Sequence, residues 1–468
     1  MLNDILTAIN DFMYTYPLLI LLFGADIYFT IRTRFVQVRL LKNSIQVIGE
    51  KAAVEDGMKQ VSSFQALMIS TASRVGTGNI AGIATAIAVG GPGAVFWMWL
   101  MALLGGASAF IESTLAQVYK IKDGKDFRGG PSYYMEKALK KRWLGILFSI
   151  LLIICFAYGF NGLQSFNISS ALAYYIPNYN ETHIPAIVGL VLAAATAFVI
   201  FGGVHRIGFI TSVIVPIMAI GYLLMGFVTI LMNLSEMPHV FAIIFKGAFD
   251  FQAIFGGIAG SAVVIGIKRG LFSNEAGMGS APNASASASV SHPAKQGLVQ
   301  VLSVFIDTLL ICSATAMMLL ISGVEGVPNV LDGIPFVQKA ISANVGQWGI
   351  HFITFSIFAF AFSSLVGNYY YAESNILFIK NSKVLLFIFR ITCLIAVFLG
   401  AQADFSVIWN IADITMGFMA TVNIISILLL GNIAIKVLKD YEKQLKTGKN
   451  PEFHAKEVGI DNTDCWND

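Results

Sequence analysis

Two short stretches hold most of this chain's chemically capable residues. The first reads Ser70-Thr-Ala-Ser-Arg-Val-Gly-Thr-Gly-Asn-Ile80, with Gly76 and Gly78 flanking Thr77 and a charged Arg74 close by. The second reads Gly266-Ile-Lys-Arg-Gly-Leu-Phe-Ser-Asn-Glu-Ala-Gly-Met-Gly-Ser280, with Lys268, Arg269, Ser273, Asn274 and Glu275 set among glycines. Both interrupt apolar runs. Glycines weaken a helix, and an arginine in hydrocarbon needs a partner or water. An unwound backbone exposes carbonyls and N–H groups, which hydrocarbon tolerates only where they are buried in protein or line a cavity. The chemistry on offer is therefore binding of small polar or charged species. Two plainer readings stay open: Gly76 and Gly78 as a close-packed helix interface, and the second stretch as a loop after a short helix.

Catalytic chemistry finds no comparable support. Gly76-Thr-Gly78 lacks the spacing and the Lys-Ser/Thr ending of a phosphate-binding loop and follows no strand. No Ser/His/Asp set, paired carboxylates or HExxH motif is present. The six histidines (His183, His205, His239, His292, His351, His454) are too scattered for a metal site, and Cys155, Cys312, Cys393 and Cys465 form no metal or disulfide framework. The chain reads as a non-enzyme without a cofactor.

The elements that must position these stretches are membrane spans. Of 468 residues, 56% are hydrophobic and 12% charged, about half the charged share of a soluble domain. The net charge of +3 is too small to indicate a nucleic-acid partner. Apolar runs fall near 14–31, 62–90, 93–119, 143–175, 184–204, 207–232, 252–280, 296–322, 348–379, 383–401 and 404–434, eleven spans in all. They form one membrane domain, 1–434, followed by a soluble tail, 435–468. The start has no basic n-region, so the first apolar helix is expected to be retained.

Orientation follows from the basic residues, which resist translocation. Alternate segments hold 26 of them: six in 32–60, eight in 120–142, Arg206, three in 268–295, two in 380–383 and six from Lys436 onward. The opposite loops hold two, Lys246 and Lys339. This predicts an external N-terminus and a cytoplasmic C-terminus. The interrupted spans are the second and the seventh, and paired broken helices in corresponding positions point to a transporter built from inverted repeats, with its site between the breaks.

Four motifs in order extend that reading: Val75-Gly-Thr-Gly-Asn-Ile-Ala-Gly82, Gly90-Gly-Pro-Gly-Ala-Val-Phe-Trp-Met-Trp99, Gly129-Gly-Pro-Ser-Tyr-Tyr-Met135 and Arg269-Gly-Leu-Phe-Ser-Asn-Glu-Ala-Gly277. Through them the chain resembles the alanine/glycine:cation symporter family of prokaryotic amino-acid carriers. The resemblance implies an all-α integral membrane fold of the leucine-transporter type: a 5+5 inverted repeat (about 62–232 and 252–434) preceded by one extra helix (14–31). It implies Na+-coupled uptake of alanine or glycine, with serine open, by alternating access in the inner membrane of a prokaryote, the protein a monomer or weak oligomer in contact with lipid. Proton coupling is the alternative. A channel is disfavoured by the lack of a repeated filter or symmetric pore helix.

The same likeness implies site residues. The carbonyls of Ala72 and Val75 and the adjacent hydroxyls of Ser363 and Ser364 would hold sodium, a hard cation suited to oxygen ligands. For a zwitterionic substrate, N–H groups at Thr77, Gly78 and Asn79 beside Gly76 would meet the carboxylate at a half-helix start. Half-helix carbonyls with Asn274 and Gln164 would meet the ammonium, and Phe272 would cap a small side chain. Asn368 stands where part of the family carries Trp, and at the pocket floor it would leave a roomier, more polar site. Asp26, Glu112, Asp307, Glu373 and Asp413 are functional candidates as intramembrane acids, with unassigned partners. Arg74 is read as structural, bonding carbonyls of the unwound helix.

Overall fold

Hydrocarbon leaves a backbone no water to bond, so a chain this apolar must pair its amides within helices. The computed structural model describes residues 2–50, 54–55, 58–124, 126–250, 261–328 and 330–466, and these are helical apart from connecting segments and two hairpins, Val54–Glu55 with Met58–Lys59 and Ile121–Asp123 with Asp126–Arg128. Eight helices among the described residues are long and apolar enough to cross a membrane: Asp4–Arg32, Ala94–Val118, Arg142–Ala171, Phe209–Met232, Pro293–Ile321, Trp348–Ile379, Lys383–Gly400 and Phe405–Leu445.

The other three expected spans take other forms. The run 62–90 is two pieces, Ser63–Arg74 and, after a 3-10 turn at Thr77–Asn79, Ala81–Gly90. The run 184–204 is a 17-residue helix, Ile184–Ile200. Of the run 252–280, residues 252–260 lie outside the described residues, and the rest is Ala262–Asn274 followed by turns. Two long spans, Arg142–Ala171 and Pro293–Ile321, pass through wider π-helical turns at Ile153–Phe160 and Ile306–Cys312. Such turns re-aim side chains and recur at functional sites.

Both chain ends are better ordered than hydropathy implies. A helix at Leu2–Thr15 precedes the first expected span and joins it at Pro17, which opens the helix Pro17–Arg32. The last helix continues to Leu445 because Ile435, Leu438 and Tyr441 keep a buried stripe at helical spacing. The tail then folds back. Phe453 N–H donates to Ser291 O (2.9 Å), Ser291 Oγ to Pro451 O (2.7 Å) and Trp466 Nε1 to Gln117 O (2.8 Å), while Lys137 pairs with Asp464 (2.8 Å). Burial pushes the Lys120 ammonium down to about 7, and Lys120 donates to Ala288 O (2.9 Å). Lys295 holds both Glu50 (2.8 Å) and Asn450 (2.7 Å), and Arg39 pairs with Glu442 (2.7 Å). The segments around 39–50, 117–137, 288–295 and 440–466 are thus tied to one another.

Phe453 is 4% exposed and meets the rings of His292 (5.2 Å) and Trp466 (5.5 Å). Phe453→Ala should destabilise the protein by about 3–5 kcal/mol, read as a lower melting temperature in detergent. An unchanged melt would mean that the tail contributes nothing to the fold.

Candidate functional site

The first break begins from a well-made helix. Ser62 Oγ accepts from Gln65 N–H (3.1 Å) and Gln65 Oε1 accepts from Ser62 N–H (3.0 Å), a reciprocal cap. At the other end, Val75 leaves helical geometry (φ −77°, ψ 80°) and Gly76 N–H turns back to Arg74 O (2.9 Å) and to Asn79 Oδ1 (3.1 Å). A Cβ on Gly76 would overlap Ser364 Oγ, and one on Gly78 would lie 3.0 Å from the Phe272 ring. A side chain at either position would have to displace Ser364 Oγ or the Phe272 ring, so close packing favours glycine at both.

The second break is built differently. The helix Ala262–Asn274 ends at Glu275, a non-glycine residue in the left-handed region (φ 55°). Asn274 Oδ1 accepts from Ala276 N–H (3.0 Å), and the chain turns through Gly277 and Gly279, both with positive φ. Their N–H groups donate to Glu112 (3.3 and 3.0 Å), which also accepts from Asn423 Nδ2 (2.8 Å). A buried carboxylate thus takes up the amides this break frees.

The two breaks meet. Asn79 Nδ2 donates to Asp307 Oδ1 (2.7 Å), and Ser273 Oγ donates to Asp307 Oδ2 (2.7 Å), which also accepts from Thr308 Oγ1 (2.9 Å). Asp307 lies in the π-helical turn Ile306–Cys312, aimed between the breaks. A second link joins Ser73 Oγ to Glu275 Oε1 (2.9 Å), and Ser280 Oγ donates to Glu275 Oε2 (2.6 Å). Phe272 lies over Gly78, packed edge-on to Phe160 (4.9 Å) and against Trp409 (5.3 Å).

The residues read from sequence distribute as follows. Ser364 Oγ donates to the carbonyls of Ala72 (2.9 Å) and Ser73 (3.2 Å), which brings Ala72 and Ser364 together. Ser363 Oγ turns away, toward Phe360 O (2.8 Å) and Met218 Sδ (3.7 Å), and Val75 N–H bonds Thr71 O (2.7 Å). Gln164 Oε1 accepts from Thr77 N–H (3.1 Å). Asn274 Nδ2 reaches Thr308 Oγ1 (3.3 Å). Asn368 accepts from Ser73 Oγ (2.8 Å) and donates to Asn161 Oδ1 (3.1 Å), so both its polar atoms are engaged.

The acids find partners that sequence left unassigned. Besides Glu112 and Asp307, Asp413 is paired with Lys268 (2.7 Å) and Arg269 (3.0 Å), Glu373 with Arg390 (3.2 Å), and Asp26 accepts from Ser108 Oγ. Lys268 and Arg269 are therefore buried ion-pair members in a half-helix, not loop charges that bear on orientation. Arg74 also departs from expectation: its Nη1 donates to the side-chain oxygen of Gln300 (3.0 Å), not to a backbone carbonyl, and among the described residues its Nε and Nη2 find no hydrogen-bond partner. Its charge acts on Glu112, Glu275 and Asp307. Sequence reasoning named Glu275 without giving it a role and missed Trp409. The signal for Glu275 was its place in the glycine-rich stretch; Trp409 carried none.

A cavity of about 660 Å³ opens at the end of the molecule formed by Phe166, Tyr179, His183, Asp404 and Phe405. From it a file of rings leads inward, Phe166 to Phe405 (5.9 Å), Phe405 to Trp409 (6.2 Å) and Trp409 to Phe272 (5.3 Å). The arrangement can bind a small solute at the breaks and gate its access with aromatic side chains.

Comparison with known proteins shows the family and the fold. The profile of the sodium:alanine symporter family matches residues 1–455. The chain is 49% identical to amino-acid carrier protein AlsT of Bacillus subtilis (strain 168), over 100% of this chain and 98% of the relative. It is 46% identical to a protein of the same organism named "Probable sodium/glutamine symporter GlnT", over 99% and 96%. Among solved structures it is similar to MhsT in complex with L-phenylalanine, with a TM-score of 0.57 and 14% identity over 83% of this chain and 99% of that one. That similarity is one of fold, of the leucine-transporter type.

The contact of Gly78 with Phe272 has a measurable consequence. Gly78→Val should destabilise the protein by about 1–3 kcal/mol through overpacking, and Phe272→Ala in the same chain should recover part of that loss. Strict additivity of the two changes in detergent melts would show that they do not share this contact.

Proposed function

Since the chain belongs to the sodium:alanine symporter family, we propose that it is a secondary active symporter that couples inward movement of Na+ to uptake of a small neutral amino acid, alanine in the first instance, by alternating access. The observation that carries this reading is the meeting of two broken helices through buried polar side chains, with a serine hydroxyl on a carbonyl freed by the first break. Neither feature is needed to cross a membrane.

In this reading Na+ sits at the Ala72 carbonyl and the Ser364 hydroxyl, with the Val75 carbonyl and Ser363 completing the set. Rotation of the Ser364 hydroxyl presents its lone pairs to the ion, and Ser363 turns from Met218 to join. The substrate carboxylate takes the N–H groups of Thr77, Gly78 and Asn79, displacing Gln164 Oε1, which holds the first of these donors at 3.1 Å. Gly76 keeps that backbone free of side chain, Asn274 and the freed carbonyls receive the ammonium, and Phe272 covers the methyl group. Asn368 acts through Ser73, one residue from the sodium ligand Ala72. A zwitterion entering low dielectric must regain the partners it had in water, and this site offers both kinds.

The protein is a multi-pass membrane protein of a transporter family. We further read its architecture as eleven spans, a 5+5 inverted repeat after one extra helix, within the membrane domain 1–434 and followed by a cytoplasmic tail, with the N-terminus outside and the membrane the prokaryotic plasma membrane. The mutual ties of the basic segments 39–50, 117–137 and the tail support a shared cytoplasmic face. Phe166, Phe405, Trp409 and Phe272 then form an external gate.

Uptake of labelled alanine into proteoliposomes under an imposed Na+ gradient, against an H+ gradient, tests the coupling ion, and competition by glycine, serine and glutamine tests the pocket. Accumulation driven by H+ alone would replace the sodium reading with the proton one. Within the sodium site, Ser364→Ala should raise the Na+ half-saturation by about tenfold or more, the worth of one good ligand, while Ser363→Ala raises it less. Equal half-saturation in Ser364→Ala and wild type removes that residue from the site.

A further inference from the structure

Glu275 has surroundings unlike those of the other acids near the breaks. Asp307 accepts from Asn79 Nδ2, whose amide orientation is fixed because Asn79 Oδ1 accepts from Gly76 N–H. Glu112 accepts from two backbone amides and from Asn423 Nδ2, and Asn423 is held by Tyr134 OH on Oδ1 and Gly277 O on Nδ2. Those donors cannot reverse, so both oxygens of Glu112 and the Oδ1 of Asp307 are fixed as acceptors, and only Asp307 Oδ2 faces hydroxyls, those of Ser273 and Thr308. Glu275, 1% exposed, meets only hydroxyls, Ser73 Oγ (2.9 Å) and Ser280 Oγ (2.6 Å). A hydroxyl serves as donor or acceptor.

Ser73 adds a stoichiometric constraint. Its single proton faces two acceptors, Glu275 Oε1 and Asn368 Oδ1 (2.8 Å). With a proton on Glu275 the chain is complete: Glu275 donates to Ser73, Ser73 to Asn368, Asn368 to Asn161 (3.1 Å) and Asn161 to Cys393 Sγ (3.4 Å). With Glu275 ionised the chain is complete in the opposite sense. Ser73 donates to Glu275, the amides of Asn368 and Asn161 turn over, and the Cys393 thiol donates to Asn161. One geometry accommodates both protonation states.

We propose that Glu275 is a reversible proton site whose loading opposes sodium binding at Ala72 and Ser364. Coupling runs through Ser73: Ser364 Oγ bonds the carbonyls of both Ala72 and Ser73, while the Ser73 hydroxyl bonds Glu275. A cation beside Ala72 favours the ionised carboxyl and expels its proton, and by linkage the proton weakens the cation. The charged and titratable groups facing Glu275 are Arg74 from the first half-helix, Asp307 from the π-helical turn, Tyr371 from the helix Trp348–Ile379 and Cys155 from the turn Ile153–Phe160.

The proposal rests on the sodium reading and is tested beside it. In proteoliposomes, the Na+ half-saturation of alanine uptake should fall as pH rises between about 5.5 and 8.5, by at most about tenfold per pH unit for one competing proton. Glu275→Gln, locked neutral, should show a raised and pH-independent half-saturation. Should that variant fail to assemble, Ser280→Ala decides: loss of one donor to the carboxylate moves the midpoint of the pH profile upward. A flat wild-type profile with sodium-driven uptake intact overturns the proton site, as does a wild-type slope in Glu275→Gln or an unmoved midpoint in Ser280→Ala. Absence of sodium-driven uptake at every pH overturns the sodium reading and this proposal together.

Discussion

The structure depends on one constraint: a helix interrupted inside hydrocarbon must hand its freed amides and carbonyls to something other than lipid. Part of the answer is that side chains bridge the two breaks. Asp307 ties Asn79 of the first break to Ser273 of the second, and Ser73 ties the first to Glu275 of the second. The remaining groups go to polar side chains on intact helices, Gln164, Glu112 and Ser364. A ligand with a carboxylate, an ammonium or a bare positive charge would compete for these same partners, which is why the breaks are the proposed binding site.

Charge is distributed to suit that role. Three buried acids, Glu112, Glu275 and Asp307, lie within reach of the single Arg74, so the region between the breaks has acids in excess. Along the half-helix Ala262–Asn274, before the second break, the balance reverses, with Lys268 and Arg269 sharing Asp413, and Arg269 stacked 4.3 Å from the Trp409 ring. Low dielectric magnifies both imbalances. The excess of acids suits the cation of the proposed function, while the basic pair ties its half-helix to the last helix through Asp413.

The chain termini frame the moving parts. The N-terminal helix Leu2–Thr15 is tied to the last helix by Asn10 to Asn410 (2.8 Å) and by Tyr14 to the carbonyl of Asp413 (2.9 Å). The tail binds the segment that follows the second break. The second break and the residues held by the tail belong to the same short stretch, 275–295.

How much was legible in advance follows physical range. Hydropathy is a property of neighbours along the chain, so the long spans could be read directly, Trp348–Ile379 to the residue. Helix breakage at Gly76 and Gly78 was equally legible, because glycine and a charged residue in an apolar run act locally. Pairings between distant residues were not. Asn79 and Asp307 are 228 positions apart, and Ser73 and Glu275 are 202 apart. Nor could spacing separate Ser364 from Ser363: adjacent helix residues differ by about 100° in direction, and only the packing of Trp348–Ile379 against the first break turns one toward Ala72 and the other toward Met218. Composition likewise could not tell loop cations from the buried pair on Asp413, or foresee that polar residues after Leu445 fold onto the protein. By itself the sequence determined a membrane protein, the break at Gly76 and Gly78, and the glycine-rich stretch 266–280 within which the helix Ala262–Asn274 ends. The tertiary structure alone decided which side chains complete those breaks, because that depends on which helix faces lie within hydrogen-bonding distance.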